Sequence, residues 1–210
     1  MKKTIIFLSM LFISSIMNAQ TVKIGKQIWM TNNLDVVTFR NGDTIPQLKT
    51  EEEWEKASKL ELPAWCYYNY DPVNGTKYGK LYNWFAVNDS RGLAPKGYHV
   101  PTESEWAKMI DFLGGKDVAG KKMKSTNGWL NNGNGTNESG FNGLPGGYAA
   151  DMDNDVMLGT IGSWWSATEL VLKKKVTNSA YRYGLSNDDG TVWRVDMDKG
   201  GLNSVRCVKD

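Results

Sequence analysis

Few residues in this chain are of a type and spacing that could do chemistry. The plainest case is Asp151, Asp153 and Asp155, which alternate in the stretch ADMDNDVMLG. Clustered carboxylate oxygens suit a hard cation such as calcium. The run lacks the glycine and distal glutamate of an EF-hand, and a solvated acidic turn is the alternative reading. No organic cofactor is implied. The only cysteines are Cys66 and Cys207. In an oxidising compartment two cysteines are most simply one disulfide. Closing a loop of about 140 residues would contribute on the order of 4–5 kcal/mol in the chain-entropy model. Two buried free thiols are the alternative. Around neither cysteine does the sequence supply a base or an obvious activating cation of the kind a reactive thiolate needs.

His99 is the only histidine and stands between Tyr98 and Val100, so a packed or hydrogen-bonded imidazole is expected rather than a hydrolase triad. Neither a nucleophile elbow nor a phosphate-binding glycine loop is present. Glu103 and Glu105 could in principle pair for glycoside hydrolysis. Glu105, however, falls where a helix cap needs a carboxylate. Sugar recognition is the remaining chemistry. Trp129 lies close in sequence to Asn131, Asn132 and Asn134, which sets an aromatic face beside amide donors and acceptors. The alternative is that Trp129 anchors its loop to the core.

These residues need elements to position them. Trp129 and its asparagines lie in a polar Asn/Gly stretch, residues 127–147, long enough to suggest a functional loop. Trp129, Leu130, Phe141 and Leu144 are expected to pin it to the body. Thr50-Glu51-Glu52-Glu53 and Thr102-Glu103-Ser104-Glu105 fit capping boxes. Behind the first, Trp54, Ala57 and Leu60 follow near helical spacing. Behind the second, Trp106, Met109, Ile110 and Leu113 form one apolar stripe, and Gly114-Gly115 ends the helix. A shorter helix is expected over 118–123, weakened by Gly120. Residues 22–30 read as a hairpin about Gly25, and Asn41-Gly42 marks another within 37–45. Strands follow at 163–167, 180–185, 192–197 and 204–208, with a turn at 187–190. If Trp164 and Trp165 lie on a strand they face opposite ways, one in the core and one partly exposed. Helices early and antiparallel strands late predict an α+β domain.

At the scale of the chain, Lys2 and Lys3, the apolar run 5–16 and Ala19 predict a cleavable signal peptide over 1–19 and an exported domain over 20–210. The run is too short for a membrane span, so none is expected in the mature chain. With 25 Lys+Arg and 23 Asp+Glu in the whole chain, loss of Lys2 and Lys3 leaves 23 of each sign. A neutral domain lacks the net basic face that nucleic acid requires. The clusters Lys121, Lys122, Lys124 and Lys173-Lys174-Lys175 read as solvated surface, and no nucleic-acid partner is expected.

Four stretches, Gly79-Lys80-Leu81-Tyr82-Asn83-Trp84, the segment Gly97 to Trp106, Ser163 to Glu169 and Ser204-Val205-Arg206-Cys207-Val208, together resemble the Fibrobacter succinogenes major paralogous domain, a family of exported bacterial proteins. The Pro-Thr-Glu-Ser-Glu-Trp and Val-Arg-Cys-Val segments also resemble the sulfatase-modifying, formylglycine-generating enzymes. That resemblance implies a C-type-lectin-like fold: two main helices packed on antiparallel strands, long irregular loops, and the two ends of the chain paired in a sheet. Such scaffolds hold calcium in acidic loops. Relatives carry a cysteine before the Pro-x-Gly-aromatic-His segment, where this chain has Ala94. If that cysteine bridges the terminal strand, Cys66 is the partner left for Cys207. The copper-binding cysteine pair of the formylglycine-generating oxidases has no counterpart beside Cys207, which counts against that activity. The function expected is a non-catalytic module recognising a glycan or a protein at the cell surface or in the envelope. A structural or assembly component of a surface structure is the competing class.

Overall fold

The computed structural model describes residues 20–149 and 157–210. Both the expected leader, 1–19, and the aspartates Asp151, Asp153 and Asp155 lie outside the described residues. Elements run in the order β1 (Thr21–Ile24), β2 (Gln27–Met30), α1 (Glu51–Lys59), β3 (Trp65–Cys66), α2 (Pro72–Tyr78), β4 (Leu81–Asn83), α3 (Trp84–Val87), β5 (Tyr98–His99), α4 (Glu103–Phe112) and α5 (Lys116–Met123). They continue with β6 (Ile161–Leu172), β7 (Lys175–Ser186), β8 (Val192–Asp198), β9 (Leu202–Asn203) and β10 (Val208–Lys209).

These strands form three antiparallel sheets, in the orders β1-β2-β10-β5, β3-β4-β9 and β6-β7-β8. This corrects the expected C-type-lectin-like layout. Sheets dominate, and among the described residues no helix exceeds the ten residues of α4, so two main helices packed on one sheet do not describe the molecule. The helices are short because glycines punctuate them: Gly79 caps α2 and Gly115 precedes α5, both at positive φ, where a residue without Cβ is favoured.

Local hydrogen bonding nonetheless starts the helices where the caps predict. The Thr102 hydroxyl accepts from the Glu105 amide while the Glu105 carboxylate accepts from the Thr102 amide. Behind that box Trp106, Met109, Ile110 and Leu113 are all buried. Thr50 caps α1, but the stripe behind it is incomplete: Ala57 is buried, Trp54 half-buried and Leu60 exposed. The α5 helix is wider than expected and tolerates Gly120 for a packing reason, since a Cβ there would stand 2.5 Å from the Gly190 carbonyl oxygen.

The core has three parts. One gathers Trp29, Trp106, Phe141, Trp164 and Tyr183, with the Trp106 and Tyr183 rings stacked at 4.9 Å. A second holds Tyr82, Trp84, Ala94, Trp165 and Cys207, and a third Leu48, Ala57, Cys66 and Leu202. Trp164 and Trp165 do point opposite ways, but both are buried, because the β6-β7-β8 sheet is covered on both faces where they lie. Cys66 and Cys207 are free thiols in different parts of the core. The single disulfide is therefore corrected to the other reading, two buried thiols. Burial pushes each thiol up to about 12.

The two ends of the chain meet as the resemblance implied, Val208 pairing with Trp29 on one side and His99 on the other. Arg206, just before β10, is completely buried. Its guanidinium donates to the Asn33 side-chain oxygen and to the Met30 and Phe141 carbonyls, tying β2, the Asn/Gly loop and the terminal strand together. Burial pulls it down to about 9, so it stays charged at neutral pH.

Candidate functional site

Trp129 is inside. Its ring is buried and its indole N–H donates to the Ser125 hydroxyl and the Gly143 carbonyl, each at 3.1 Å. An indole closed off in this way cannot stack on a sugar, so the expected binding face is corrected to a loop anchor. Asn134 serves the same anchor, its side-chain oxygen accepting from the Trp129 amide at 3.0 Å. Asn131 and Asn132 are exposed and adopt left-handed backbone at φ 51° and 60°, which asparagine tolerates in turns. They serve as turn formers, and the buried Trp129 ring offers them no exposed face. Glu103 is engaged by Arg194 and Glu105 by its cap and His99, so neither is free for acid–base work. Among the described residues no group of three or more His, Cys, Asp or Glu could hold a metal.

The structure instead assembles a groove elsewhere. Its first half is lined by Trp54 and Ser58 from α1 and Glu61 just past it, facing Asn178, Met197, Asp198 and Gly201. Its second half is lined by Phe85 and Asn88 around α3, facing Glu169, Thr177, Asn178 and Lys199. The halves share Glu61 and Asn178 and enclose about 430 and 410 Å³, the size range of small-molecule sites.

Each wall has an identifiable cause. The Trp54 indole is oriented by its N–H, which donates to the Gly200 carbonyl at 2.8 Å. Gly200 lets α1 come this close, because a Cβ there would collide with the Ser58 side chain. Glu61 stands where a helix usually ends on glycine, at φ 54°, while the Leu62 amide returns to the Ala57 carbonyl at 2.9 Å in the manner of a Schellman turn. Asn178 donates to Asp198 at 2.7 Å, and the other oxygen of Asp198 accepts from the Gly200 amide at 2.8 Å. Lys199 is buried, with its ammonium 2.7 Å from Glu169 and 4.7 Å from the Trp84 ring centre.

The result is a nearly pre-set wall of amides, carboxylates and the ammonium groups of Lys59 and Lys199, with the half-buried faces of Trp54 and Phe85 along it. Such a surface can offer hydrogen bonds in both directions to a hydroxyl-rich molecule and an apolar face to its ring. Sequence reasoning missed it. Trp54 followed the helical spacing behind the first cap and gave no sign of a site; Gly200-Gly201 was the available sign of close backbone approach.

No curated protein and no solved structure matches this chain. The model of the Fibrobacter succinogenes major domain matches residues 22–209. That span takes in every sheet, the buried Arg206 and both halves of the groove, and the chain belongs to the Fibrobacter succinogenes major domain family.

Proposed function

We propose that this chain is an exported, non-catalytic binding module whose groove takes a neutral glycan. The observation that carries the reading is the pair of adjoining clefts that share Glu61 and Asn178, with Trp54 and Asp198 in one and Lys199 in the other, where aromatic faces stand beside polar groups held by neighbours. Pre-orientation of this kind lowers the ordering cost of binding. The wall carries acids and lysines together, Glu61, Glu169 and Asp198 against Lys59 and Lys199, which suits an uncharged ligand better than a strongly ionic one. Glu169 and Asp198 are each engaged by Lys199 or Asn178, which favours holding a ligand over attacking one. Export rests on the leader-like sequence of residues 1–19. No helix among the described residues is long and apolar enough to cross a membrane.

A glycan and polysaccharide array tests this directly. Selective binding by the wild-type chain is expected, weakened roughly 10-fold or more by Trp54→Ala through loss of the stacking face and unchanged by Asn131→Ala. Absence of selective binding to any sugar, or equal binding by Trp54→Ala, would overturn the assignment of this groove.

A further inference from the structure

Beyond the groove, the hairpin of β6 and β7 does something the rest of the sheet does not. The β8 strand accompanies β7 only as far as the Ser179–Asp198 pair. Past the Asn178 carbonyl, which still accepts from the Lys199 amide, residues 170–177 continue as a two-stranded ribbon, closed at its root where the Thr177 hydroxyl donates to the Leu170 carbonyl at 2.8 Å. Val171, Leu172 and Val176 on this ribbon are 53%, 56% and 61% exposed. Lys173, Lys174 and Lys175 form its apex, also exposed. No acid occurs between 170 and 176, and the nearest in sequence, Glu169, is held by Lys199.

The register decides what such a tip fits. Val171 pairs with Val176, and Leu172 pairs with Lys175; paired residues share a face and successive residues alternate. Apolar side chains therefore stand on both faces of the ribbon, beneath a cationic apex. A protein surface would cover one face and leave the other in water. A lipid interface receives both faces at once in tip-first docking: the aliphatic stems of the apex lysines enter with Val171, Leu172 and Val176, and their ammonium groups turn back to the phosphates. The turn is also made of unusual residues. Lys173 and Lys174 both take left-handed backbone, φ 48° and 65°, where a two-residue hairpin turn normally has Asn-Gly. Two lysines in that place cost backbone energy and put positive charge at the point farthest from the sheet.

We propose that this hairpin tip docks the protein on an anionic lipid surface, through the charge of Lys173, Lys174 and Lys175 and shallow burial of Val171, Leu172 and Val176. The test is the full chain carrying Val171→Cys, labelled with an environment-sensitive nitrobenzoxadiazole dye; the native thiols are buried and will not take the label. Vesicles of phosphatidylcholine with one quarter phosphatidylglycerol should brighten and blue-shift the dye several-fold. Phosphatidylcholine alone should not, and high salt should reverse the change. The same dye at Glu55→Cys, on exposed α1, should not respond. Adding Lys173→Gln, Lys174→Gln and Lys175→Gln should weaken vesicle affinity at least 10-fold, since each lysine near an anionic surface contributes separately. No response at position 171 to anionic vesicles would overturn the proposal. So would an equal response to neutral vesicles, or a response to polyglutamate with none to vesicles, which would identify an acidic protein partner instead.

Discussion

His99 sits between two carboxylates, Asp210 at 2.8 Å on one ring nitrogen and Glu105 at 2.8 Å on the other. Partial burial alone would lower its pKa, but its hydrogen bonds to the Asp210 and Glu105 carboxylates outweigh that and raise it above the ordinary 6.5. Glu105 shifts the other way: burial pushes up, while the Thr102 amide, the Thr102 hydroxyl and His99 pull it below its ordinary 4.5. The sign of each contribution follows from linkage. Stability supplied by His99 is complete below 6.5 and is lost as pH rises through its elevated folded value. Stability supplied by Glu105 is complete above 4.5 and is lost as pH falls through its depressed one. Urea midpoints measured across pH should therefore fall on the alkaline side of 6.5 more for wild type than for His99→Gln. Parallel profiles for the two proteins would show that the cluster is not coupled to folding. The pairing of His99 with Glu105 was half visible in the sequence, because a cap is a local device; Asp210 was not, since it comes from the far end of the chain.

Among the elements, those specified locally were legible and those specified by distant partners were not. The capping box of Thr102 with Glu105, the Thr50 cap and the turn at Asn41-Gly42 all act within a few residues. The β3, β4, β5 and β9 strands are two or three residues long and exist because of pairings such as Tyr82 with Asn203, which no window of sequence contains. Gly120 shows the same split. As an interior helix glycine it weakens α5, and alanine would recover about 1 kcal/mol of helix propensity. Its Cβ would, however, press on the backbone carbonyls of Gly190 and Thr191 at 2.5 and 2.9 Å, and backbone does not move aside as a side chain can. Overpacking of this kind costs about 1–3 kcal/mol. Gly120→Ala should therefore lower the urea midpoint despite its better propensity; a higher midpoint would mean that the contact with the 190 turn is slack.

For the whole molecule, the consequence of two free buried thiols is that cohesion comes from packing. A three-part core, strand β10 held between β2 and β5, and the buried Arg206 spanning Met30, Asn33 and Phe141 join the ends of the chain without a covalent link. Dithiothreitol should leave Tm unchanged. A reductant-dependent fall of several degrees, as expected for losing about 4–5 kcal/mol of loop closure, would show that Cys66 and Cys207 are bridged after all. The candidate site was less legible than the fold, because Trp54, Glu61, Phe85, Asn178 and Lys199 come from four separated segments that only the folded chain brings to one wall. The stretch that did look like a site, around Trp129, had the right residue types and the wrong side of the surface.

Recognition through the Trp54 groove is the claim on which the functional account stands, and the indole N–H resonances of the tryptophans report on it most directly. The measurement is a titration of the nitrogen-15-labelled protein with the oligosaccharide that binds most strongly on the array. Movement of the Trp54 resonance, whose N–H is held by Gly200 at the groove, with Trp129 unmoved in its pocket, is the predicted result. Movement of Trp129 with Trp54 still, or saturation of binding with Trp54 unchanged, would contradict it.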